Sequence, residues 1–392
     1  MTPAARVQAA IEIVDEVIAA AEAGGAAADT LIARYFKTRR YAGSKDRRAV
    51  RDFAYAAIRR AGERPASGRA AMIGLAQDRP EVAALFDGSH NGPAPIGDEP
   101  AAAAGIAPAW LEQKLVAALG PDELPALLER APLDLRVNRL KATRNQILPL
   151  LDDAVPGDLS PDAIRLPEGT KVEGMPAFEQ GLVEVQDEGS QVIVAACAAI
   201  PGMVAVDLCA GAGGKTLALA GAMMGQGRLI ACDVDRTRLS RLAPRAARAG
   251  AHLIETRLLD GGREARNLTD LEGQADMVLI DAPCSGAGTW RRNPEARWRL
   301  DPARLERLRA MQAHVLRFGA PLVRPGGRLV YAVCSLLEEE GPAQVDAFLA
   351  ANPGWARLDP LAAGRPVGPG RRLTPAHDGT DGFFIAVLER PC

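Results

Sequence analysis

The chain reads as an α/β protein: a doubly wound α/β domain in its second half, preceded by an all-helical domain and a small α+β segment. Three observations carry this. From Val185 onward, short apolar runs typical of strands buried on both faces alternate with helix-period stretches. The first ninety or so residues carry only helical periodicity, and the interval between the two mixes both patterns.

In chain order, Val7, Ala10, Ile11, Val14, Val17 and Ile18 recur at helical spacing. Asp46 to Arg60 repeats the pattern with Val50, Phe53, Ala54, Ala57 and Ile58. These define a helical domain over residues 1–90, closed by a Gly-, Pro-, Ser- and Asp-rich stretch, Asp87 to Pro100, that reads as a linker. The run Ile106-Ala-Pro-Ala-Trp-Leu opens another helix and Leu133 to Asn138 alternates like a strand, which places a small α+β domain at 101–176. The remaining residues, 177–392, form the doubly wound domain. Its expected strands are Val204–Leu208, Leu229–Cys232, His252–Thr256, Met277–Asp281, Arg328–Val333 and Phe383–Leu388. Expected helices between them are Thr216–Met224, Arg236–Ala249 and Pro302–Leu322. In such a sheet a ligand sits beyond the carboxyl ends of the strands.

A length of 392 residues with 48% hydrophobic and 24% charged residues suits a soluble protein of two or three domains. Glu12, Asp15 and Glu16 interrupt the first apolar pattern, which argues against a signal peptide, and no segment is apolar enough to span a bilayer. The expected location is the cytoplasm, with a monomer as the default state. Six cysteines without paired spacing and four scattered histidines indicate neither a disulfide framework nor a metal site. The net charge of −2 does not suggest a polyanionic partner, but its distribution does. Between Arg34 and Arg64 eleven basic residues face only Asp46, Asp52 and Glu63, with Tyr35, Phe36, Tyr41, Phe53 and Tyr55 interleaved. The charge excess points to RNA, whereas the aromatics read first as helix core.

The turn Val204-Ala-Val-Asp-Leu-Cys-Ala-Gly-Ala-Gly-Gly-Lys-Thr216 follows a buried strand and precedes a helix, so backbone amides and the helix's positive end converge on one point. Gly-Gly-Lys-Thr invites comparison with a phosphate-binding loop, but that motif needs glycine at position 209, where this chain has Cys209. Asp233, Asp260 and Asp281 close successive strands. Asp233 suits the two hydroxyls of a ribose and Asp260 the adenine amino group, although each alone also reads as a helix cap. Together with Cys209, Ala210, Gly211, Ala212, Gly213, Gly214 and Lys215 they favour S-adenosylmethionine as the cofactor.

Two further cysteines end strands and precede serines: Cys284 in Asp281-Ala-Pro-Cys-Ser-Gly286 and Cys334 in Val330-Tyr-Ala-Val-Cys-Ser335. Carbon 5 of cytosine is too weak a nucleophile to accept a methyl group unaided. A thiolate that adds to carbon 6 activates it, and a second group must then help to release the product. Cys197, Cys232 and Cys392 read as inert core. Trp290 and Trp298, among arginines, either stack on an extruded base or simply pack.

These units resemble the RsmB/Sun family of RNA (cytosine-5) methyltransferases. Further matching segments are Gly181-Leu-Val-Glu-Val-Gln-Asp-Glu-Gly-Ser-Gln191, Arg136-Val-Asn138 and Arg291-Arg-Asn-Pro-Glu-Ala-Arg-Trp298, and the helical front is similar to that family's NusB-like RNA-binding domain. The resemblance implies a Rossmann-like S-adenosylmethionine-dependent catalytic domain. In it Cys334 is the nucleophile, Cys284 the releasing thiol, Asp281 a holder of the base, and Cys209 to Lys215 with Asp233, Asp260 and Asp281 the cofactor site. Ala212 and Val333 depart from residues usual in the family without removing a reactive group. Ribosomal RNA is the favoured substrate and transfer RNA stays open. The alternatives are a catalytically silent RNA-binding ribosome-assembly factor and a nucleotide hydrolase built on the Gly-Gly-Lys-Thr turn. A DNA methyltransferase, with its nucleophile in the Pro-Cys loop, would not need Cys334.

Overall fold

Thr2 caps helix α1 (Pro3–Ala23) through its hydroxyl to the Ala5 amide, and Gly24, at φ 68°, ends it in the left-handed conformation. The stripe Val7, Ala10, Ile11, Val14 and Val17 is buried. It packs with Leu31, Ile32, Tyr35 and Phe36 of α2 (Ala28–Thr38), Val50, Ala54 and Ile58 of α3 (Ser44–Arg60) and Met72 of α4 (Gly68–Asp78). The computed structural model describes residues 1–392, and its first unit consists of Met1–Arg130 together with a later segment, Thr289–Pro302.

That segment belongs to the helical core. Trp298 is buried in it and donates from Nε1 to the Ala61 carbonyl at 3.0 Å. Arg297, fully buried, donates to the carbonyls of Ile58, Arg59 and Ala61 at the carboxyl end of α3. Glu295 accepts the Ala28 amide at the start of α2 at 2.9 Å. A cation at a helix carboxyl end and an anion at an amino end both follow the helix dipole. Of the aromatics in the basic stretch, Tyr35, Phe36 and Tyr55 are buried, in line with the core reading, whereas Tyr41 departs from it and stands well exposed. Arg34, Lys37, Arg40, Lys45, Arg47, Arg48 and Arg51 lie at least partly in solvent.

The second unit comprises Ala131–Gly288 and Ala303–Cys392. It opens with an antiparallel sheet of β1 (Leu133–Val137), β2 (Val155–Pro156), β3 (Ala163–Leu166) and β4 (Val183–Val185), in the order β2-β3-β1-β4. The expected boundary at 176 therefore cuts this sheet, because β4 supplies the second neighbour of β1, with Leu135 opposite Val185. Polar contacts tie the small sheet to the rest of the unit. Asn138 Nδ2 donates to the carbonyls of Gly181 and Ala249, and buried Glu184 pairs with Arg245 and Arg248.

The large sheet contains β5 (Val204–Asp207), β6 (Arg228–Asp233), β7 (Ile254–Leu258), β8 (Ala275–Asp281), β9 (Val323–Val333), β10 (Ala356–Leu358), β11 (Arg365–Val367), β12 (Gly370–Leu373) and β13 (Phe383–Glu389). Its order is β11-β12-β13-β9-β8-β5-β6-β7, with β10 on β13. Strands β5 to β9 are parallel, and β13 runs antiparallel to β9. The order reverses at β5, so the crevice at the carboxyl ends of β5 and β8 is the topological switch point. Apolar clusters cover both faces of the sheet. Several expectations shift in detail: β9 begins at Val323 rather than Arg328, the helix expected over Thr216–Met224 spans Gly214–Ala222, and that expected over Pro302–Leu322 ends at Gly319. The helix expected over Arg236–Ala249 divides into Arg236–Leu239 and Leu242–Ala249, and β7 begins two residues later than expected, after Gly250 ends the preceding helix at φ 73°.

Candidate active site

After β5 the chain turns through Leu208 to Gly213 into the helix Gly214–Ala222, with Gly211 at φ 57° and Gly213 at φ 85°. A side chain at Gly213 would collide with Leu242, so glycine here permits close packing as well as a left-handed backbone. The turn is pinned by the amides of Ala210, donating to the Cys232 carbonyl, and of Gly211, donating to Asp233 Oδ2 at 2.7 Å.

A cavity of about 280 Å³ lies against this turn, lined by Asp207, Cys209, Ala210, Ala212, Gly214, Lys215, Arg238, Arg245 and Asp281 with Gln186 and Ser190. Lys215 Nζ donates to Asp281 Oδ2 at 2.7 Å. Burial pushes the lysine pKa down, but the charge and hydrogen bond of Asp281 push it up further, and the net is a rise. Asp207 is buried. Its Oδ2 accepts the Thr216 hydroxyl at 2.7 Å while Oδ1 has no partner, and burial pushes its pKa up to about 7.

Asp233 is buried beneath the turn, its carboxylate taken by the amides of Gly211 and Asp235. Asp260 is exposed after β7, outside the cavity lining. Of the expected cofactor residues, the structure thus gathers Cys209, Ala210, Ala212, Gly214, Lys215 and Asp281 around the cavity. Gly211 and Gly213 shape it, Asp233 supports it, and Asp260 stands apart.

Strands β8 and β9 are parallel neighbours, with Asp281 opposite Ala332. Their carboxyl-end turns bring Cys284 and Cys334 together, Sγ to Sγ 3.3 Å, both free and partly exposed. The hydrogen bond with Cys334, then burial, then the charges of Cys334 and Glu340 hold the Cys284 pKa well above the ordinary thiol range. Cys197 and Cys232 are buried, and burial pushes the Cys232 thiol up to about 12, as suits inert core. Cys392 is exposed at the chain end and is not core. Trp290 and Trp298 are buried, which leaves them packing residues rather than a stacking surface for a base.

Glu340 carries no signal in the sequence. It is fully buried, and its Oε1 accepts the Ser285 amide at 2.8 Å and Gln312 Nε2 at 3.0 Å. Its Oε2 accepts the hydroxyls of both Ser285 and Ser335. Those serines follow the two cysteines, and the repeated Cys-Ser pair is the one available hint. No cluster of metal-ligating side chains occurs, and no helix is long and apolar enough to cross a membrane.

An open sheet with five adjacent parallel strands, a glycine turn after β5 and acidic residues at successive strand ends define a Rossmann-like methyltransferase fold. Residues 196–389 match the family model described as 16S rRNA methyltransferase RsmB/F, and residues 107–173 match its ferredoxin-like domain. The chain is 39% identical over 289 residues to ribosomal RNA small subunit methyltransferase B of Salmonella arizonae, an alignment covering 72% of this chain and 66% of that protein. Among solved structures, PH0851 superposes with TM-score 0.78 at 24% identity, covering 100% of this chain and 99% of its own. NSun6 from Pyrococcus horikoshii, solved with SFG, gives TM-score 0.65 at 21% identity over 72% of this chain and 98% of its own. The chain belongs to the RsmB/F methyltransferase family.

Proposed function

We propose that the protein transfers a methyl group from S-adenosylmethionine to carbon 5 of a cytosine in RNA, with ribosomal RNA as the substrate. The observation that carries this reading is the pair of thiols 3.3 Å apart at the ends of β8 and β9, in the same carboxyl-end crevice as the glycine turn. The curated relatives' names specify ribosomal RNA of the small subunit, and NSun6 was solved with SFG, an S-adenosylmethionine analogue.

The cavity's donor set fits the cofactor's amino-acid end. Asp207, with an unpartnered buried oxygen, suits an ammonium, and Arg238 and Arg245 suit a carboxylate. Cys209 to Lys215 would hold the cofactor with Asp281, while Asp233 braces the turn with both its oxygens on backbone amides, and the ribose and adenine contacts expected of Asp233 and Asp260 are not carried by this geometry. When bound, the cofactor supplies a methyl group on a positively charged sulfur.

Cys334 acts as the nucleophile. Its thiolate adds to carbon 6 of cytosine, and the electron pair of the 5,6 double bond moves so that carbon 5 takes the methyl group. Asp281, oriented by Lys215, holds the base at N3 or its amino group, a contact that strengthens as the ring is activated. The carbon 5 proton then leaves, the double bond re-forms and Cys334 departs as thiolate. Cys284 suits this last stage. While Cys334 is ionised, its charge and hydrogen bond keep the proton on Cys284. Once Cys334 is bonded to carbon both effects vanish, so Cys284 can give up its own proton to solvent, and the resulting thiolate, or a water it positions, takes the carbon 5 proton.

Bisulfite sequencing of RNA from cells with and without the gene tests the reading directly. Loss of one methylated cytosine in small-subunit ribosomal RNA is expected. Loss confined to a transfer RNA would move the substrate, and no loss anywhere would favour an assembly factor without activity.

A further inference from the structure

Glu340 is a fully buried carboxylate held by neutral hydrogen-bond donors, an arrangement that persists only when those bonds replace the lost water. Its partners are unusually placed. One oxygen takes the hydroxyls of Ser285 and Ser335, each immediately following one of the two cysteines, and those hydroxyls lie 3.1 Å from each other. The other oxygen takes the Ser285 amide and Gln312 Nε2, and Gln312 Nε2 also donates to the Pro283 carbonyl at 2.9 Å, on the residue before Cys284. The Glu340 carbonyl itself accepts the Tyr331 hydroxyl at 2.6 Å, from within β9. Three donors therefore reach the carboxylate from the two cysteine turns, and a fourth, Gln312 Nε2, ties it to the chain just ahead of Cys284.

We propose that Glu340 is a positioning residue for the two-thiol site: its carboxylate bridges the serines that follow both cysteines, holds the thiols at contact distance, and sets a fixed negative charge beside Cys284. The inference rests on the reading of Cys334 and Cys284 as the reacting pair. The charge has a defined consequence. The charge of Glu340 is among the causes that raise the pKa of Cys284, so it favours the protonated thiol at that position. Neither serine touches substrate in this scheme, and both act through the cysteine beside them.

Glu340→Gln is the informative variant. It keeps the shape, and the serine hydroxyls, being free rotors, can turn from donating to accepting while the charge disappears. The readout is the pH dependence of iodoacetamide alkylation at Cys284 and Cys334, followed peptide by peptide by mass spectrometry on the full-length protein without RNA. In Glu340→Gln, Cys284 alkylation near about pH 8 is expected to rise several-fold, because a charge that favours its protonated form is gone. Ser285→Ala with Ser335→Ala is expected to leave the charge but loosen the bridge, so that kcat falls while KM for RNA stays. Because alkylation needs no substrate, its outcome is independent of whether the protein methylates cytosine. Should Glu340→Gln not fold, the paired serine variant carries the test through its kcat-to-KM split. Unchanged alkylation profiles in Glu340→Gln, or a paired serine variant with unaltered kcat, would overturn the proposal.

Discussion

Lys215 and Asp281 form an ion pair of 2.7 Å that joins the first turn of the helix Gly214–Ala222 to the last residue of β8. With the Leu208 amide, which donates to the Leu279 carbonyl, it links the glycine turn to the strand that leads to Cys284. Lys215→Met leaves the Asp281 carboxylate without its partner, and a charged hydrogen bond of this kind contributes enough for affinity for S-adenosylhomocysteine to fall about tenfold. Isothermal titration calorimetry checks this, and unchanged affinity would reduce the pair to a surface contact.

The two cysteines give opposite phenotypes. Cys284→Ala is expected to accumulate a covalent protein–RNA adduct, seen as a slow band on a denaturing gel, because the step that expels Cys334 is impaired. Cys334→Ala is expected to give no adduct and to lose at least about a thousandfold in methyl transfer. The reverse pattern would exchange their roles.

Burial raises the Asp207 carboxyl to about 7 from its ordinary 3.8. Between those values the folded chain holds a proton that the unfolded chain has lost, so this group lowers stability as pH rises through the window and has no further effect above it. Asp207→Asn removes that dependence. Thermal unfolding at about pH 5 and about pH 8 should show a larger loss in the wild type than in the variant. Cofactor affinity should run the other way, strengthening in the wild type as Asp207 ionises near about pH 7 and staying flat in the variant. Parallel profiles for the two proteins would exclude Asp207 as the group responsible.

Trp298 is a structural residue of the helical unit, its ring buried and its Nε1 bonded to Ala61. Trp298→Ala should therefore cost about 3–5 kcal/mol, read by denaturant unfolding of the full chain. Trp298→Phe keeps most of the packing and should leave KM for RNA unchanged. A raised KM in a well-folded Trp298→Phe protein would restore the stacking role.

How much of the molecule is legible in the sequence depends on how local each signal is. Strands β5, β6, β8, β9 and β13 can be read to within a few residues because apolar runs between glycine or proline punctuation carry their own evidence, and the thiol pair emerges from two Cys-Ser units at strand ends. Glu340 is silent, since a glutamate just ahead of a helix reads as solvated until the fold closes both serine turns over it. The segment Thr289–Pro302 misleads for a similar reason. Arginines and tryptophans near a reactive loop look like a binding surface, and only tertiary structure shows Arg297 and Trp298 donating to the carbonyls at the end of α3. The short strands β10 to β12 span three or four residues each and carry too little pattern to be recognised.

The return of residues 289–302 to the amino-terminal unit also bears on the order of synthesis. A nascent chain that has emerged only to Arg130 lacks Glu295, Arg297 and Trp298, so the carbonyls of Ile58, Arg59 and Ala61 and the Ala28 amide wait for partners made more than two hundred residues later. The front of the protein is completed only after β8 and the Cys284 turn have been translated, whereas β9 and Cys334 follow it.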